Sequence, residues 1–424
     1  MKDVLLVCPS AWDSAQLPAS RTLPRDRYRL HVAAEEAEDY PATFDALGFI
    51  DQMVERLRKR PVDGVASSSD YPGCIVAAGI AKELGLPGPE PKAVLTCSHK
   101  YYSRVAQREA VPEATPTFAL VDPHHLSERS LGLSFPLFVK PVKSWFSIFA
   151  QRIERFDELV AFVRRADVRA HLSEFVAPFN HLLERYTDFP FNGSYLVAEE
   201  ILGGDQVTVE GYVFQGAVEI IGITDSVMFP GTISFQRFDH PSALPLPVQE
   251  RMSDIATRVI RHIGLDNSLF NIEMFYDRHT DRISIIEINP RMCGQFADLM
   301  ESVHGTNTYE ILLALAVGER PRFRREAGRW RVAASFPLRA FTDKRVVRLP
   351  HPQQVEAVKR RYAVTIVKAG YYREGQLLSD LPENSDGASY RYGVINLAGQ
   401  DWDHLLADFQ RAEAELGFVL ADVD

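Results

Sequence analysis

Apolar positions in residues 1–95 fall into short blocks separated by helical stripes. Val4-Leu5-Leu6-Val7-Cys8 is an apolar run of strand length, and residues 30–34 and 64–67 repeat it. Between the last two, Leu47, Ile50, Met53, Val54 and Leu57 recur at the spacing of one helical face, which predicts a helix over about residues 44–60. A second, more apolar helix is predicted over residues 74–84 and is closed by Gly85. Strands alternating with helices predict an α/β unit: a doubly wound parallel sheet with helices on both faces. The run Pro87-Gly88-Pro89-Glu90-Pro91 breaks the pattern and marks a domain boundary near residue 95.

Further along, the elements lengthen and mix. A helix is expected over residues 93–110, ended by Val111-Pro112. A strand follows over 135–142 and an amphipathic helix over 156–165. Strands at 195–199 and 207–214 lie either side of Gly203-Gly204. Residues 228–247 hold Gly231, His240, Pro241 and several more prolines and aromatics, which predicts a functional loop or lid. Met252, Ile255, Ala256, Val259, Ile260 and Ile263 form one face of a helix over 251–263. Strands at 271–276 and 283–288, a helix over 308–317, strands at 331–336 and 364–368 and a last helix over 402–416 complete an α+β pattern.

Composition narrows the class. A chain of 424 residues holds two or three structural units, and 46% hydrophobic with 25% charged residues is ordinary for a soluble protein. The net charge of −10 argues against a nucleic-acid partner. The first apolar run is too short for a secretory leader, and no run of about 18 apolar residues predicts a membrane span, so a cytoplasmic location is expected. Cys8, Cys74, Cys97 and Cys293 form no CxxC pair and read as buried free thiols.

Chemistry concentrates in the two strands at 271–276 and 283–288. Each carries one glutamate, Glu273 or Glu287, inside a run that otherwise reads as buried. A buried carboxylate is costly unless it is paired or binds a metal. Glu287 and Asn289 lie two residues apart and share a face. A turn at 278–281 would set Glu273 beside Glu287 on adjacent antiparallel strands. Two carboxylates and an amide suit magnesium, which takes a few protein oxygens and completes its shell with substrate phosphates. Arg291 follows directly after Pro290.

A Glu on one strand and Glu-x-Asn-x-Arg on the next resembles the metal motif of the ATP-grasp superfamily, matched here by Glu273, Glu287, Asn289 and Arg291. The resemblance implies that the first three hold two magnesium ions, or manganese, on the phosphates of ATP. It implies that Arg291 is the catalytic residue, steadying the transferred phosphoryl group or the tetrahedral adduct. Ser98-His99-Lys100 with Arg104 is similar to the family's Asp-Lys-x-x-x-Arg helix, with His99 in place of the acid and Lys100 on a phosphate. Lys140, at the end of the run Phe135 to Pro141, resembles the phosphate-binding lysine. Residues 143–149 stand where the family has a glycine-rich flap, but hold no glycine; Ser144 and Ser147 are the candidate phosphate contacts. Ala198 to Gln206 resembles the hinge that reads adenine, with Glu199, Glu200 and Leu202 at the base and Asp205 or Gln206 at the ribose.

The resemblance covers most of the chain. It implies an ATP-grasp domain over about 96–320, with a nucleotide flap at about 130–200. A small α+β domain over 325–424 resembles that of L-amino-acid-ligase-like and biotin-carboxylase-like members. The implied activity is ATP-dependent joining of a small-molecule carboxylate to an amine, with amino acids as the expected substrates, through an acyl phosphate, releasing ADP. Dimers are common among such proteins, so a homodimer is allowed. Two alternatives stay open: a carboxylase that activates bicarbonate, and a nucleotide-binding regulatory protein without turnover, which the glycine-free flap and Gln206 would suit. The candidate substrate contacts are Glu210, Arg237, His240 and Gly294; the last lies in the turn after Arg291, where backbone N–H groups suit a carboxylate.

Overall fold

Strand alternation in the first residues divides one sheet between two cores. The computed structural model describes residues 1–33, 44–144 and 148–423. Strands β1 (Lys2–Leu6), β2 (Tyr28–Val32) and β3 (Gly64–Ala66) are parallel, in the order β2-β1-β3. Leu5 and Val65 face the helices Ala46–Lys59 and Gly73–Leu84, while Val4, Leu6 and Ala66 pack on Leu313 and Ala316 of the helix Thr308–Ala316. The sheet is therefore covered on both faces, one cover coming from far along the chain. In the helix Ala46–Lys59, Ile50, Met53, Val54 and Leu57 are buried as the periodicity requires. Gly85, at φ +65°, ends the next helix in the left-handed conformation that glycine adopts without strain.

A further helix, Ala11–Ala19, has no apolar stripe to announce it; its buried residues are the polar Asp13 and Gln16. The single helix expected over 93–110 is two, Pro91–Ser98 and Lys100–Ala110, broken at His99. His99 is extended there (φ −94°, ψ 100°), and its Nδ1 accepts from the Tyr102 N–H at 3.5 Å, capping the second helix. Its Nε2 donates to the Asn192 carbonyl at 3.1 Å, which selects the tautomer. Burial lowers its pKa to about 4, so a neutral imidazole performs the capping that an acid performs elsewhere.

Strands β4 (Phe118–Val121), β5 (Leu137–Pro141), β6 (Gln151–Ile153) and β7 (Leu196–Glu200) form an antiparallel sheet, β4-β7-β5-β6. Its apolar face packs on Leu159 and Phe162 of the helix Phe156–Arg164. The remaining strands are β8 (Asp205–Phe214), β9 (Ala217–Met228), β10 (Phe235–His240), β11 (Ser268–Asp277), β12 (Arg282–Asn289), β13 (Val332–Ala340), β14 (Lys344–Arg348), β15 (Val364–Lys368), β16 (Tyr390–Gly399) and β17 (Val419–Asp422). Eight of them make one sheet, β12-β11-β8-β9-β10-β13-β16-β15, and β14 pairs with β17. β7 and β8 lie in different sheets, so Gly203-Gly204 is a crossing between sheets. The loop expected over 228–247 contains the strand β10, paired with β9, which periodicity did not reveal. Residues 235–238 are half-buried on both faces, and so carry no alternation to read.

The large sheet has two unlike faces. Phe270, Ile272, Met274, Val207 and Val209 pack on Met252, Ile255 and Val259 of the helix Leu246–Ile263. Fully burying each such side chain stabilises by roughly 1.5–3 kcal/mol. Asn271, Glu273, Glu287, Asn289, Thr208 and Glu210 alternate with these and fall on the opposite face. A one-residue slip of β11 would bury the glutamate row in the apolar core, so the polar row and the core specify the register together.

Candidate active site

Register across β11 and β12 assembles the first cluster. Glu273 stands opposite Glu287, and Asn271 opposite Asn289. Beside Glu287 the pairing shifts past Ile286, whose carbonyl instead accepts from Arg104 Nη2 at 2.8 Å. Such a bulge re-aims the neighbouring side chains. Burial, and then the charge of Glu287, push Glu273 up to about 7. Burial acts on Glu287 as well, but Lys100 and Lys140 outweigh it and hold Glu287 below the usual carboxylate range. Lys100 Nζ lies 3.0 Å from Glu287 Oε1. Gln206 Nε2 donates to Glu273 Oε2 at 3.1 Å, and Asn289 Nδ2 to Asn271 Oδ1 at 3.4 Å.

A second cluster lies beneath it. Arg104, 2% exposed, forks onto Glu199 at 2.7 and 3.2 Å, and Lys140 Nζ is 2.9 Å from Glu199 Oε2. Burial raises the Glu199 pKa, but Arg104 and Lys140 overcome it and hold the acid at about 2. Glu199, expected beside adenine, thus presents its side chain to Lys140 and Arg104. The Glu200 N–H is engaged by the Thr117 carbonyl at 3.1 Å, and its carboxylate pairs with Arg282 at 2.7 Å. Leu202 lies in the crossing between sheets, and Asp205 pairs with Arg278 at the surface. The Lys100 N–H donates to the Val142 carbonyl at 2.8 Å, anchoring that helix start at the base of the flap. Ser144 is buried and its carbonyl accepts from Lys100 Nζ at 3.4 Å, whereas Ser147 lies outside the described residues.

Arg291 meets a partner that the sequence reading did not single out. Asp70, in the run Ser67-Ser68-Ser69-Asp70 just after β3, accepts from Arg291 Nη2 at 3.2 Å. Burial raises Asp70, but Arg291 and Lys143 prevail and hold it at about 2. Lys143 is buried with its ammonium 4.7 Å from the centre of the Tyr71 ring. The available signal was positional: ends of parallel strands collect ligand-facing residues.

The turn after Arg291 ties three parts of the chain together. The Cys293 N–H donates to Glu210 Oε1 at 3.2 Å, and burial pushes Glu210 up to about 7. The Gly294 carbonyl accepts from Gln16 Nε2 at 3.0 Å. Gln16 and, from β16, Asn396 both donate to Asp298 Oδ1, at 2.6 and 2.8 Å. A Cβ on Gly294 would come 2.8 Å from the Trp12 Cβ, so glycine permits the close approach of that helix.

Two expected substrate contacts are turned elsewhere. Arg237 pairs with Asp239 of its own strand at 2.9 Å. His240 is wholly buried, with Nδ1 on Thr224 Oγ1 at 3.1 Å and Nε2 on His304 Nε2 at 3.0 Å. Both of its ring nitrogens are engaged, and burial, then His304, lower its pKa to about 3. Neither side chain is a free arm of a lid.

The oxygen set fits a hard divalent cation. Among the described residues no three His, Cys, Asp or Glu side chains converge. The set is two carboxylates and an amide, and the raised Glu273 shows a like-charge pair that a cation would relieve. That few protein ligands suits magnesium shared with phosphates.

Residues 133–299 match the model of an ATP-grasp domain. The chain carries an ATP-grasp domain. The matched segment contains Lys140, Glu199, Glu210, Glu273, Glu287, Asn289 and Arg291, while Lys100 and Asp70 reach the domain from outside it. Among curated proteins, the ATP-grasp enzyme fsqD of Aspergillus fumigatus is 25% identical over 313 residues, 65% of this chain and 50% of that protein. The chain therefore spans about half the length of that relative. The crystal structure of an L-amino acid ligase from Bacillus licheniformis superposes with a TM-score of 0.76 at 20% identity, covering 100% of this chain and 99% of that one. A biotin carboxylase from Campylobacter jejuni gives 0.64 at 12% identity, covering 99% and 92%. At these identities the likeness establishes the mixed α/β ATP-grasp fold. No helix among the described residues is long and apolar enough to cross a membrane.

Proposed function

We propose that this ATP-grasp protein is an ADP-forming carboxylate–amine ligase that activates its acid as an acyl phosphate. The observation that carries the proposal is the convergence of Glu273, Glu287 and Lys100 on one sheet face, with Arg291 held by Asp70 at the adjoining domain. This is the equipment of phosphoryl transfer, which depends mostly on positioning and charge neutralisation. The closer superposition on the L-amino acid ligase than on the biotin carboxylase, a TM-score of 0.76 against 0.64, supports the ligase reading over a carboxylase. The presence of Glu273, Glu287, Asn289 and Arg291 together supports an active enzyme over a regulatory protein without turnover.

Magnesium bound by Glu273, Glu287 and Asn289 would neutralise charge on the phosphates. Lys100 and Lys140 present ammonium groups already oriented by carboxylates, so the phosphates meet preorganised cations. A substrate carboxylate oxygen attacks the γ-phosphorus, the bond to ADP breaks, and an acyl phosphate forms. Arg291 holds the carboxylate and then the oxyanion that develops when the amine nitrogen attacks the acyl carbon. The carbon–oxygen bond to phosphate breaks, the amine loses a proton, and an amide remains. Asp70 keeps the guanidinium aimed, and the buried Glu199 keeps Lys140 in place.

A phosphate-release screen of amino acids, singly and in pairs, with mass spectrometry of the product, tests this reading. Turnover that needs two amino acids is the expected result. Glu287→Ala should abolish ADP release while leaving the melting temperature of the nucleotide-free protein close to that of the wild type. Normal ADP release by that variant would remove the metal assignment.

A further inference from the structure

Just past the end of β5 stands a lysine to which the mechanism above gives no part. Lys143 is buried, and its backbone is held by Lys100 and His171. Its own carbonyl accepts from His171 Nε2 at 2.9 Å. The carbonyls of its neighbours Val142 and Ser144 accept from the Lys100 N–H at 2.8 Å and from Lys100 Nζ at 3.4 Å. Lys100 Nζ is in turn 3.0 Å from Glu287 Oε1. At the far end of the side chain, the Lys143 ammonium lies 4.7 Å from the centre of the Tyr71 ring and 5.4 Å from that of Phe179. Tyr71 directly follows Asp70, the partner of Arg291. The backbone of Lys143 is thus tied to the Glu287 end of the site, and its ammonium reaches toward the Arg291 end.

Lys100 faces Glu287, Lys140 faces Glu199 and Arg291 faces Asp70. Among the described residues Lys143 has no acid within ion-pair distance; Asp70 acts on it only across space. Both Asp70 oxygens are engaged, Oδ1 by the Tyr71 N–H at 2.7 Å and Oδ2 by Arg291 at 3.2 Å. Ring faces steady an ammonium but do not neutralise it. A buried ammonium without a paired acid is costly until an anion arrives, and a phosphate of ATP is such an anion. The charges that act on Lys143 indicate which phosphate. Lys100 and Glu287 lie to one side of it and Asp70, with Arg291, to the other. The group that crosses from the metal end to a carboxylate at Arg291 is the γ-phosphoryl.

We propose that Lys143 is a further catalytic residue, which grips the γ-phosphoryl group as it passes from ATP to the substrate carboxylate. The inference rests on the ligase reading and adds a residue to it. The bond from the γ-phosphorus to the ADP oxygen breaks as the bond to a carboxylate oxygen forms, and Lys143 keeps its proton throughout. A compact ammonium on a flexible stem can follow the phosphoryl oxygens over that short path. Arg291 stays on the carboxylate, and Lys140 stays beneath with Glu199.

The test measures binding of ADP and of β,γ-methylene ATP by calorimetry with magnesium present. Lys143→Met should weaken the triphosphate analogue by on the order of tenfold or more. It should leave ADP binding at the wild-type value, which also shows that the variant is folded. Lys143→Arg should return part of the lost affinity. In turnover, Lys143→Met should lower kcat by on the order of a hundredfold, with a matching loss of acyl phosphate trapped by hydroxylamine and no change in KM for the amine. Equal weakening of the analogue and of ADP would overturn the proposal, because a structural role or a contact with the other phosphates would produce it. So would unchanged binding of both. A loss confined to the triphosphate, in a protein whose wild type yields no acyl phosphate with any acid, would remove the ligase reading and leave this contact standing.

Discussion

Glu273 and Glu287 face each other across two adjacent antiparallel strands, and among the described residues only Glu287 has a lysine within 3.0 Å. This asymmetry separates their protonation. Glu287 is kept ionised by Lys100 and Lys140, and Glu273 is pushed up to about 7. The folded-state pKa of Glu273 lies above its unfolded value. Its contribution to stability is therefore present below about pH 4.5 and is lost as pH rises through about 7.

A divalent cation must therefore displace a proton from Glu273 below pH 7. Magnesium binding with an ATP analogue should release one proton at pH 6 and strengthen roughly tenfold per pH unit up to about 7. Calorimetry in buffers of different ionisation enthalpy reads the proton directly. Glu273→Gln should remove the buffer dependence, and an identical heat for wild type in all buffers would count against the metal assignment.

Glu199 neutralises two buried cations at once. Glu199→Ala leaves Arg104 and Lys140 uncompensated, and the expected loss is about 3–5 kcal/mol of folding stability. Urea unfolding measures it. A loss below about 1 kcal/mol would mean that the two cations relax into solvent.

His240 and His304 form a buried neutral pair with pKa values lowered to about 3 and about 4, chiefly by burial. Both folded values lie below the unfolded value near 6.5. Their contribution is complete above about pH 6.5 and is lost as pH falls, because the unfolded chain binds the protons first. Between pH 6 and 4.5 the stability of His240→Gln should fall less steeply than that of the wild type, by about 1.4 kcal/mol per pH unit. Denaturant midpoints across that range supply the slopes.

Gly294 allows the helix bearing Trp12 to touch the turn that follows Arg291. Gly294→Ala should cost about 1–3 kcal/mol through the enforced contact with the Trp12 Cβ and should lower kcat/KM by displacing Arg291. Pairing it with Trp12→Gly, which removes that Cβ, should return part of the melting temperature. Failure of the pair to recover would show that the clash is not the cause.

Where pattern and environment agreed, the elements were legible from the residues. The helix over 402–416 and the inward faces of the helices at 46–59 and 246–263 follow 3.6-residue periodicity because one face of each meets a core. Patterns failed where both faces are partly wet or where buried residues are polar. β10 has no alternation, and the helix Ala11–Ala19 buries Asp13 and Gln16 because it lines the turn beside Arg291. His99 stands where the resembled motif has an acid, and its imidazole caps the helix that Lys100 begins, a role that its residue type does not announce.

The sequence by itself determined which residues share the polar face of β11 and β12 and so stand as the candidate metal ligands. Two glutamates in apolar strands, an asparagine two residues on and an arginine after a proline have few other physical uses, since strand alternation puts them on one face. Tertiary structure alone decided which charges meet. Asp70 reaches Arg291, Glu199 turns inward to Arg104 and Lys140, His240 sinks against His304, and Lys368 comes to Trp12 from the far end of the sheet. Each of these pairings joins residues distant along the chain. Periodicity reports which side of its own element a residue occupies, and only the packing of elements reports what stands opposite.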